Sequence, residues 1–331
     1  MKKYNVYGIG NALVDIVTEV GDDFLKKHNV EKGLMTLVEE DRQKQLINDI
    51  NLETSNKQCG GSAANSMIAV SQFGGSSYYS CKVAKDDMGH FYLNDLKKNG
   101  VDTFLTKESA PQGITGQCLV MTTPDANRTM NTFLGITATF SKSEVNEAAL
   151  KDAEYLYMEG YLVPSPDGQE AMKYAKKLAE ENGVKVAMTF SDPSMVKYFK
   201  PQMEEIVGAS VDLLFCNEEE AMLFTDTKTV DEARMELKKA AKKFVITQGA
   251  NGALVYDGDT FIDIEPYAVN AIDTNGAGDL FAGAFLYAIT NGRSYADAGK
   301  LASLASSKVV TKFGPRLEWH EAKEVLKSLT A

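Results

Sequence analysis

Asp273-Thr274-Asn275-Gly276-Ala277-Gly278-Asp279 runs directly into Leu280-Phe281-Ala282-Gly283-Ala284-Phe285. A strand over Thr260–Glu265 and a loop precede this stretch, and the apolar run after it predicts a helix over Gly278–Thr290. Strand, loop, small-residue turn and buried helix in that order belong to an α/β protein. Small side chains at Gly276, Ala277 and Gly278 let backbone N–H groups converge on one point at a helix N-terminus, where the dipole favours an anion. Asp279 is the first strong base on that turn. Amides that hold a migrating phosphate beside a carboxylate that takes a hydroxyl proton suit phosphoryl transfer. The same residues also suit a plain glycine turn with Asp279 as helix cap.

Outward from this turn the pattern repeats. Short apolar runs bounded by polar or glycine residues predict buried strands at Asn5–Ile9, Ser77–Val83, Glu154–Met158, Val184–Phe190, Val211–Phe215 and Lys243–Thr247. Helical patterns fall at Asp86–Asn99, Gly168–Asn182, Asn217–Phe224 and Thr229–Ala241, and the C-terminal third adds Ser294–Lys312 and Trp319–Ser328. Such alternation implies a mostly parallel sheet with helices on both faces. Leu13–Val20, Gly33–Val38, Gly116–Thr122 and Arg128–Phe133 break it. They alternate like a half-exposed antiparallel sheet and lack the helix that a parallel crossover needs. They are expected to form a small β excursion in two pieces, about 13–40 and 112–138, over one edge of a single domain spanning 1–331.

The 331 residues are 44% hydrophobic and 24% charged, which excludes disordered, collagen-like and low-complexity chains. A net charge of −11 disfavours nucleic acid as a partner without excluding a small phosphorylated ligand in a local site. The four cysteines form no C-x-x-C pair and the three histidines no H-E-x-x-H pattern, so a zinc site is not expected. There is no apolar run long enough to span a membrane and no signal-peptide core, so a cytoplasmic location is expected. Asn127-Arg128-Thr129 matches a glycosylation sequon that such a location leaves idle.

Four further motifs carry chemistry. Gly60-Gly61-Ser62-Ala63-Ala64-Asn65 opens a helix; its glycines allow close backbone approach to a ligand, and Asn65, one turn in, faces the same crevice. The alternative is a plain helix start capped by Ser62. Asn217-Glu218-Glu219-Glu220 follows a strand directly, and Glu220 is placed to hold Mg²⁺, directly or through water, or else the acidic turn complements the helix dipole. Thr247-Gln248-Gly249-Ala250-Asn251-Gly252 reads as a hairpin turn, as a source of amides near nucleotide phosphates, or as both. Gly8-Ile9-Gly10-Asn11-Ala12-Leu13 imitates G-x-G-x-x-G, but Leu13 replaces the third glycine and a strand follows, so a nicotinamide dehydrogenase reading is poor. Asn11 and Asp15 are better read as polar groups at the end of the first strand, with Asp15 able to accept two hydroxyl hydrogen bonds from a vicinal diol, or else as a turn Asn and an exposed strand Asp. No P-loop pattern occurs.

In this order the five segments resemble the ribokinase/PfkB family of carbohydrate and nucleoside kinases, from Gly8 to about Arg316. The resemblance implies a three-layer α/β/α fold with a small β-sheet lid, and ATP and Mg²⁺ as cofactors. It makes Asp279 the catalytic base and Gly276, Ala277 and Gly278 the anion hole. Asn217 and Glu220 become the N-x-x-E element that governs Mg²⁺ and phosphate, while Thr247, Gly249 and Gly252 line the ATP phosphates and ribose. Asp273 and Asn275 match positions that border a monovalent-cation site in some members. Within the family the residues look most like adenosine kinases, through Gly10–Ile16, Gly61–Ser66, Asn127-Arg128 and Asp273–Gly276. That likeness implies conversion of adenosine to AMP, with Asn11, Asp15, Gly60, Gly61 and Asn65 as substrate contacts. Glu159-Gly160-Tyr161 departs from the aromatic pair of vertebrate adenosine kinases; Tyr161 either stacks on a base or is a core aromatic, and Glu159 suits a hydrogen bond to a sugar instead. The competing expectations are a sugar kinase of the same family acting on fructose, ribose or a related sugar, and a silent binding protein that senses a nucleoside or sugar. A monomer and a homodimer both remain open.

Overall fold

A computed structural model describes residues 2–33, 35–50, 56–124 and 128–329. In chain order the first part holds β1 (Tyr4–Ile9), β2 (Leu13–Glu19), α1 (Asp22–Lys27), β3 (Met35–Leu37), α2 (Glu40–Asn48), β4 (Asn56–Gly60), α3 (Ser62–Gln72), β5 (Ser77–Ser80), α4 (Asp87–Lys98) and β6 (Val101–Asp102). The middle holds β7 (Gly116–Thr122), β8 (Arg128–Phe133), α5 (Glu147–Lys151), β9 (Ala153–Glu159), α6 (Pro166–Glu181), β10 (Lys185–Thr189) and α7 (Pro193–Val207). The last part holds β11 (Leu213–Asn217), α8 (Glu218–Thr225), α9 (Val230–Glu236), β12 (Phe244–Thr247), β13 (Ala253–Tyr256), β14 (Phe261–Ile264), α10 (Ala277–Thr290), α11 (Tyr295–Val309) and α12 (Trp319–Ser328).

Nine strands form the main sheet in the order β14-β13-β12-β11-β10-β9-β1-β5-β6. Pairing is parallel from β12 through β6, and only the β12–β13 and β13–β14 pairs at one edge are antiparallel. Strands such as Tyr155-Leu156-Tyr157-Met158 are apolar on both faces because each face is covered. One covering core joins Tyr157 and Phe215 to Leu280, Phe285 and Leu301 of α10 and α11; the other joins Leu156 and Met188 to Met172, Val196 and Ala233 of α6, α7 and α9. This is the three-layer α/β/α arrangement expected from the sequence. The chain leaves β1 in both directions across the sheet, so the strand order reverses there, and the crevice beyond the carboxyl ends is where α/β sheets bind ligands.

The second sheet has five strands, β3-β8-β7-β2-β4. It is mixed, not antiparallel: β2 pairs with β7 and β3 with β8 in parallel. It also recruits β4, whose Asn56-Lys57-Gln58-Cys59-Gly60 carries no β-signature and lies outside the expected pieces. Contrary to expectation, the first piece does carry helices, α1 and α2, too short and polar outside to register as periodic segments, whereas β8 leads into no α-helix before α5 among the described residues. Ile16, Leu119 and Met121 pack against Leu25 of α1 and Leu46 of α2. With the strand period of two, the opposite face presents Leu13, Asp15, Cys118, Val120, Met130 and Thr132 to a cleft shared with the main sheet. The helix α7 is a further element that the sequence pattern hides, since Pro201 interrupts it and Phe199 leaves helical geometry.

Candidate active site

The cleft holds about 460 Å³. Its floor is made by the carboxyl ends of consecutive parallel strands: Asn11 after β1, Glu159 ending β9, Thr189 on β10, Asn217 on β11 and Thr247 on β12. The N-termini of α3 and α10 enter from one side and the second sheet forms the facing wall.

Asp279 occupies the third position of α10, and the residue that caps that helix is Gly276 in left-handed conformation (φ 73°). The carboxylate therefore caps nothing. One oxygen accepts from Ser62 Oγ at 2.6 Å and the other from Asn65 Nδ2 at 2.9 Å. Burial raises the Asp279 carboxyl to about 6, against the pull of Ser62, Asn65 and the Arg316 charge. A carboxylate with that affinity accepts a proton better than an exposed aspartate while staying ionised at neutral pH. Ser62 is likewise no cap, because Gly61 fills that position without a side-chain bond and the serine hydroxyl turns to Asp279.

The three small residues of the turn are not equivalent. A side chain on Gly276 would collide with Pro315, whereas one on Gly278 would meet nothing within 4 Å. Gly276 and Gly278 line the cleft and Ala277 does not, its carbonyl accepting from Ser306 Oγ at 2.9 Å. Asp273 braces the same loop by accepting from the amides of Asn275 and Gly314, each at 2.9 Å.

The Gly60–Gly61 turn works differently. A Cβ on Gly60 would fall on the Asp15 carboxylate, and one on Gly61 (φ +101°) would fall on the Asn11 carbonyl. Close approach here is between protein segments. Gly61 still lines the cleft, but Gly60 does not. Asp15 lines it from β2, nearly buried.

Asn11 and Glu159 tie segments together at the cleft floor. Asn11 donates its side-chain amide to the Tyr161 carbonyl (2.9 Å) and accepts from Thr137 Oγ1 (3.2 Å). Glu159 is fully buried; its oxygens accept from the amides of Asn11 (2.6 Å) and Ala63 (2.8 Å), and Gly10 lacks the Cβ that would strike it. Burial pushes its carboxyl up to about 8, with the nearby Asp279 charge adding. Tyr161 lines the cleft just beyond.

Asn217 and Glu220 form a reciprocal cap on α8. Asn217 Oδ1 accepts from the Glu220 amide (2.8 Å), and the Glu220 carboxylate accepts from the Asn217 amide (2.9 Å) and Nδ2 (3.1 Å). Burial first, then Asp192 and Glu219, raise Glu220 to about 7. Both residues line the cleft, as does Thr247. Gly249 and Gly252 belong to the adjoining β12–β13 hairpin and do not line it; a Cβ on Gly252 (φ +93°) would strike the Ile264 carbonyl. Asn127 lies outside the described residues. No cluster of three or more His, Cys, Asp or Glu side chains able to hold a metal occurs among the described residues, and no described helix is long and apolar enough to cross a membrane.

Sequence reasoning missed the roles of Ser62 and Arg316 as partners around Asp279, and the cleft-lining residues Thr189, Ser191, Asp192 and Met195. Ser191 adopts φ 72° without being glycine, which is strain at a cleft-facing strand end.

A three-layer α/β/α protein with a second sheet facing a helix N-terminus, and a carboxylate beside it, defines the class. Residues 34–322 match the profile described as pfkB family carbohydrate kinase. The chain belongs to that family, and it is an ATP-dependent phosphotransferase acting on a hydroxyl group. It is similar to adenosine kinase 2 of Arabidopsis thaliana, 27% identical with 93% of this chain and 94% of the relative covered. Two crystal structures share its fold at TM-score 0.90 and 31% identity. One is described as a probable sugar kinase protein from Rhizobium etli, covering 99% of this chain and 100% of that one. The other is adenosine kinase from Sinorhizobium meliloti, covering 98% and 99%.

Proposed function

We propose that the protein phosphorylates the primary hydroxyl of a nucleoside, with adenosine the leading acceptor and AMP the product. The observation that carries this reading is the Asp279 carboxylate at the cleft floor, held on both oxygens and set beside the open amide turn at Gly278. The acceptor hydroxyl points at Asp279, which takes its proton as the oxygen attacks the γ-phosphorus in line. Amides of Gly276 and Gly278 stabilise the charge on the transferred group, the Ala277 amide being donated to the Thr274 carbonyl at 3.3 Å. Asp15 takes the vicinal hydroxyls of a ribose, while Asn11 and Glu159 hold the floor in shape. The second sheet acts as a lid that excludes water, the competing acceptor.

The wall opposite the floor favours a nucleoside over a free sugar. Leu13, Met35, Leu37, Val120, Met130 and Leu134 offer an apolar surface beside Asp15. A sugar has hydroxyls all round and gains little there, whereas a flat base buries its faces. Tyr161 lies on the cleft margin in reach of such a base.

ATP enters on the Asn217–Thr247 side. Mg²⁺ keeps several waters and takes one or two carboxylates with phosphate oxygens. Glu220, with both oxygens engaged by Asn217, suits contact through water and not direct ligation. When bound, Mg²⁺ neutralises charge developing on the phosphates.

A coupled ATP assay against adenosine, inosine, ribose and fructose tests the reading. Adenosine should give the highest kcat/KM; a preference for ribose or fructose would establish the sugar kinase instead. Asp15→Ala should raise KM for the acceptor far more than for ATP. Equal effects on both would remove Asp15 from the diol.

A further inference from the structure

The loop between α11 and α12 reaches back to the reaction centre with three successive residues. The Gly314 amide donates to Asp273 at 2.9 Å, and Pro315 fills the space left by Gly276. Arg316, part-buried, donates from Nε to Asn65 Oδ1 at 2.8 Å and from Nη2 to the Cys59 carbonyl at 2.6 Å, and its Nη1 pairs with Asp95. Asn65 in turn donates from Nδ2 to Asp279 at 2.9 Å.

Asn65 thus lies between a guanidinium, which only donates, and a carboxylate, which only accepts when ionised. One orientation of its carboxamide satisfies both neighbours; the flipped one sets oxygen against oxygen and N–H against N–H. We infer that Arg316 is a positioning residue for the phosphoryl transfer, locking the Asn65 carboxamide with its nitrogen toward Asp279 and so fixing the direction and ionisation of that carboxylate. The inference rests on Asp279 as the base. Arg316 does not line the cleft, so it acts only through Asn65 and through its charge. Asp95 on α4 and the Cys59 carbonyl on β4 hold the planar fork in place, a geometry that guanidinium provides and a single ammonium does not.

The charged or titratable groups around Asp279 are Arg316 from this loop, Glu159 and Tyr157 from β9, and Tyr161 just after it. Only the first changes in the test. The Arg316 charge draws the Asp279 carboxyl down, so its removal moves the acid limb of kcat to higher pH.

The experiment compares wild type, Arg316→Gln and Arg316→Lys by kcat, both KM values, the pH profile of kcat, and melting temperature. Arg316→Gln should lower kcat by roughly 10–100-fold, change KM for ATP by less than about threefold, and shift the acid limb upward. Arg316→Lys, which keeps a pure donor and the charge, should return the limb toward wild type. A folded Arg316→Gln with wild-type kcat and an unmoved limb overturns the inference. If it does not fold, Arg316→Met, which keeps the apolar stem, is read by the same two outcomes, and collapse of both would assign Arg316 to stability alone and overturn it as well. Asp279→Asn separates the two levels: an active Asp279→Asn removes the base itself, whereas an inactive one beside an unaffected Arg316→Gln removes only the relay.

Discussion

Two glycine turns open α3 and α10 on the same side of the cleft, and the gaps in them are filled differently. At Gly60–Gly61 the missing side chains make room for protein: the Asp15 carboxylate in one case and the Asn11 carbonyl in the other. At Gly276–Gly278 the first gap is filled by Pro315 and the second opens on the cleft. Sequence alone makes the two turns look alike. The first turn packs on the Asp15 carboxylate of the second sheet and on the Asn11 carbonyl, and the second leaves the Gly278 position open to the cleft at a helix N-terminus, which favours an anion. A glycine whose Cβ would have met nothing, at φ below zero, is unexplained by packing, and Gly278 is such a residue.

The largest expected effect tests the chemistry beside the open turn. Asp279→Asn should lower kcat by roughly 10²–10⁴. The variant keeps the size of the side chain, so circular dichroism should match wild type. An undiminished kcat in that folded variant would remove Asp279 as base and leave the open turn without its partner.

The next pair pulls the two turns apart. Gly61→Ala should destabilise the fold by about 1–3 kcal/mol from backbone strain alone, with the Asn11 carbonyl adding to it, as measured by urea denaturation. Gly278→Ala should leave stability unchanged or raise it by up to about 1 kcal/mol, since glycine is a poor helix residue. Its methyl group would stand where an anion approaches, and kcat should fall roughly 10–100-fold. Stability loss in Gly278→Ala with turnover intact would erase the contrast.

Much of this was readable in the sequence because it is local. The parallel strands announce themselves as apolar runs, and the Asp273–Asp279 turn as small residues before an apolar helix. What was hidden is what acts across the chain. Ser62 and Asn65 reach Asp279 across more than two hundred residues, and Arg316 reaches Asn65 across 251. No spacing rule links them. The strand β4 was hidden for a different reason: polar residues pair in a sheet when a neighbour such as β2 supplies the ladder. At Asn217-Glu218-Glu219-Glu220 the pattern announced a cap and a ligand site at once, and the geometry shows the cap, with both residues also facing the cleft.

The smallest expected effect concerns the groups behind the turns. Glu159, Glu220 and Asp279 are all raised by burial, to about 8, 7 and 6. A carboxyl whose folded pKa exceeds its unfolded value of about 4 holds its proton more tightly in the folded state. Between those two values the folded protein binds more protons than the unfolded chain, so stability falls as pH rises. Asp279 stops contributing to this slope above pH 6 and Glu220 above pH 7, which leaves Glu159 between 7 and 8. One such group costs about 1 kcal/mol over that last unit. Urea denaturation without ligands should therefore show wild type losing about that much more than Glu159→Gln from pH 7 to pH 8. The absolute stability of Glu159→Gln is not the readout, because its amide group sets a donor against the Asn11 or Ala63 amide and lowers stability at every pH. The difference in slope isolates the one carboxyl, since Asp279, whose charge is coupled to it, is already ionised above pH 7 in both proteins. Equal slopes would mean that Glu159 is ionised throughout this range, held by the Asn11 and Ala63 amides more strongly than burial opposes it, and the segment after β1 would then be joined to the start of α3 by a full charge and not by a proton-bearing clamp.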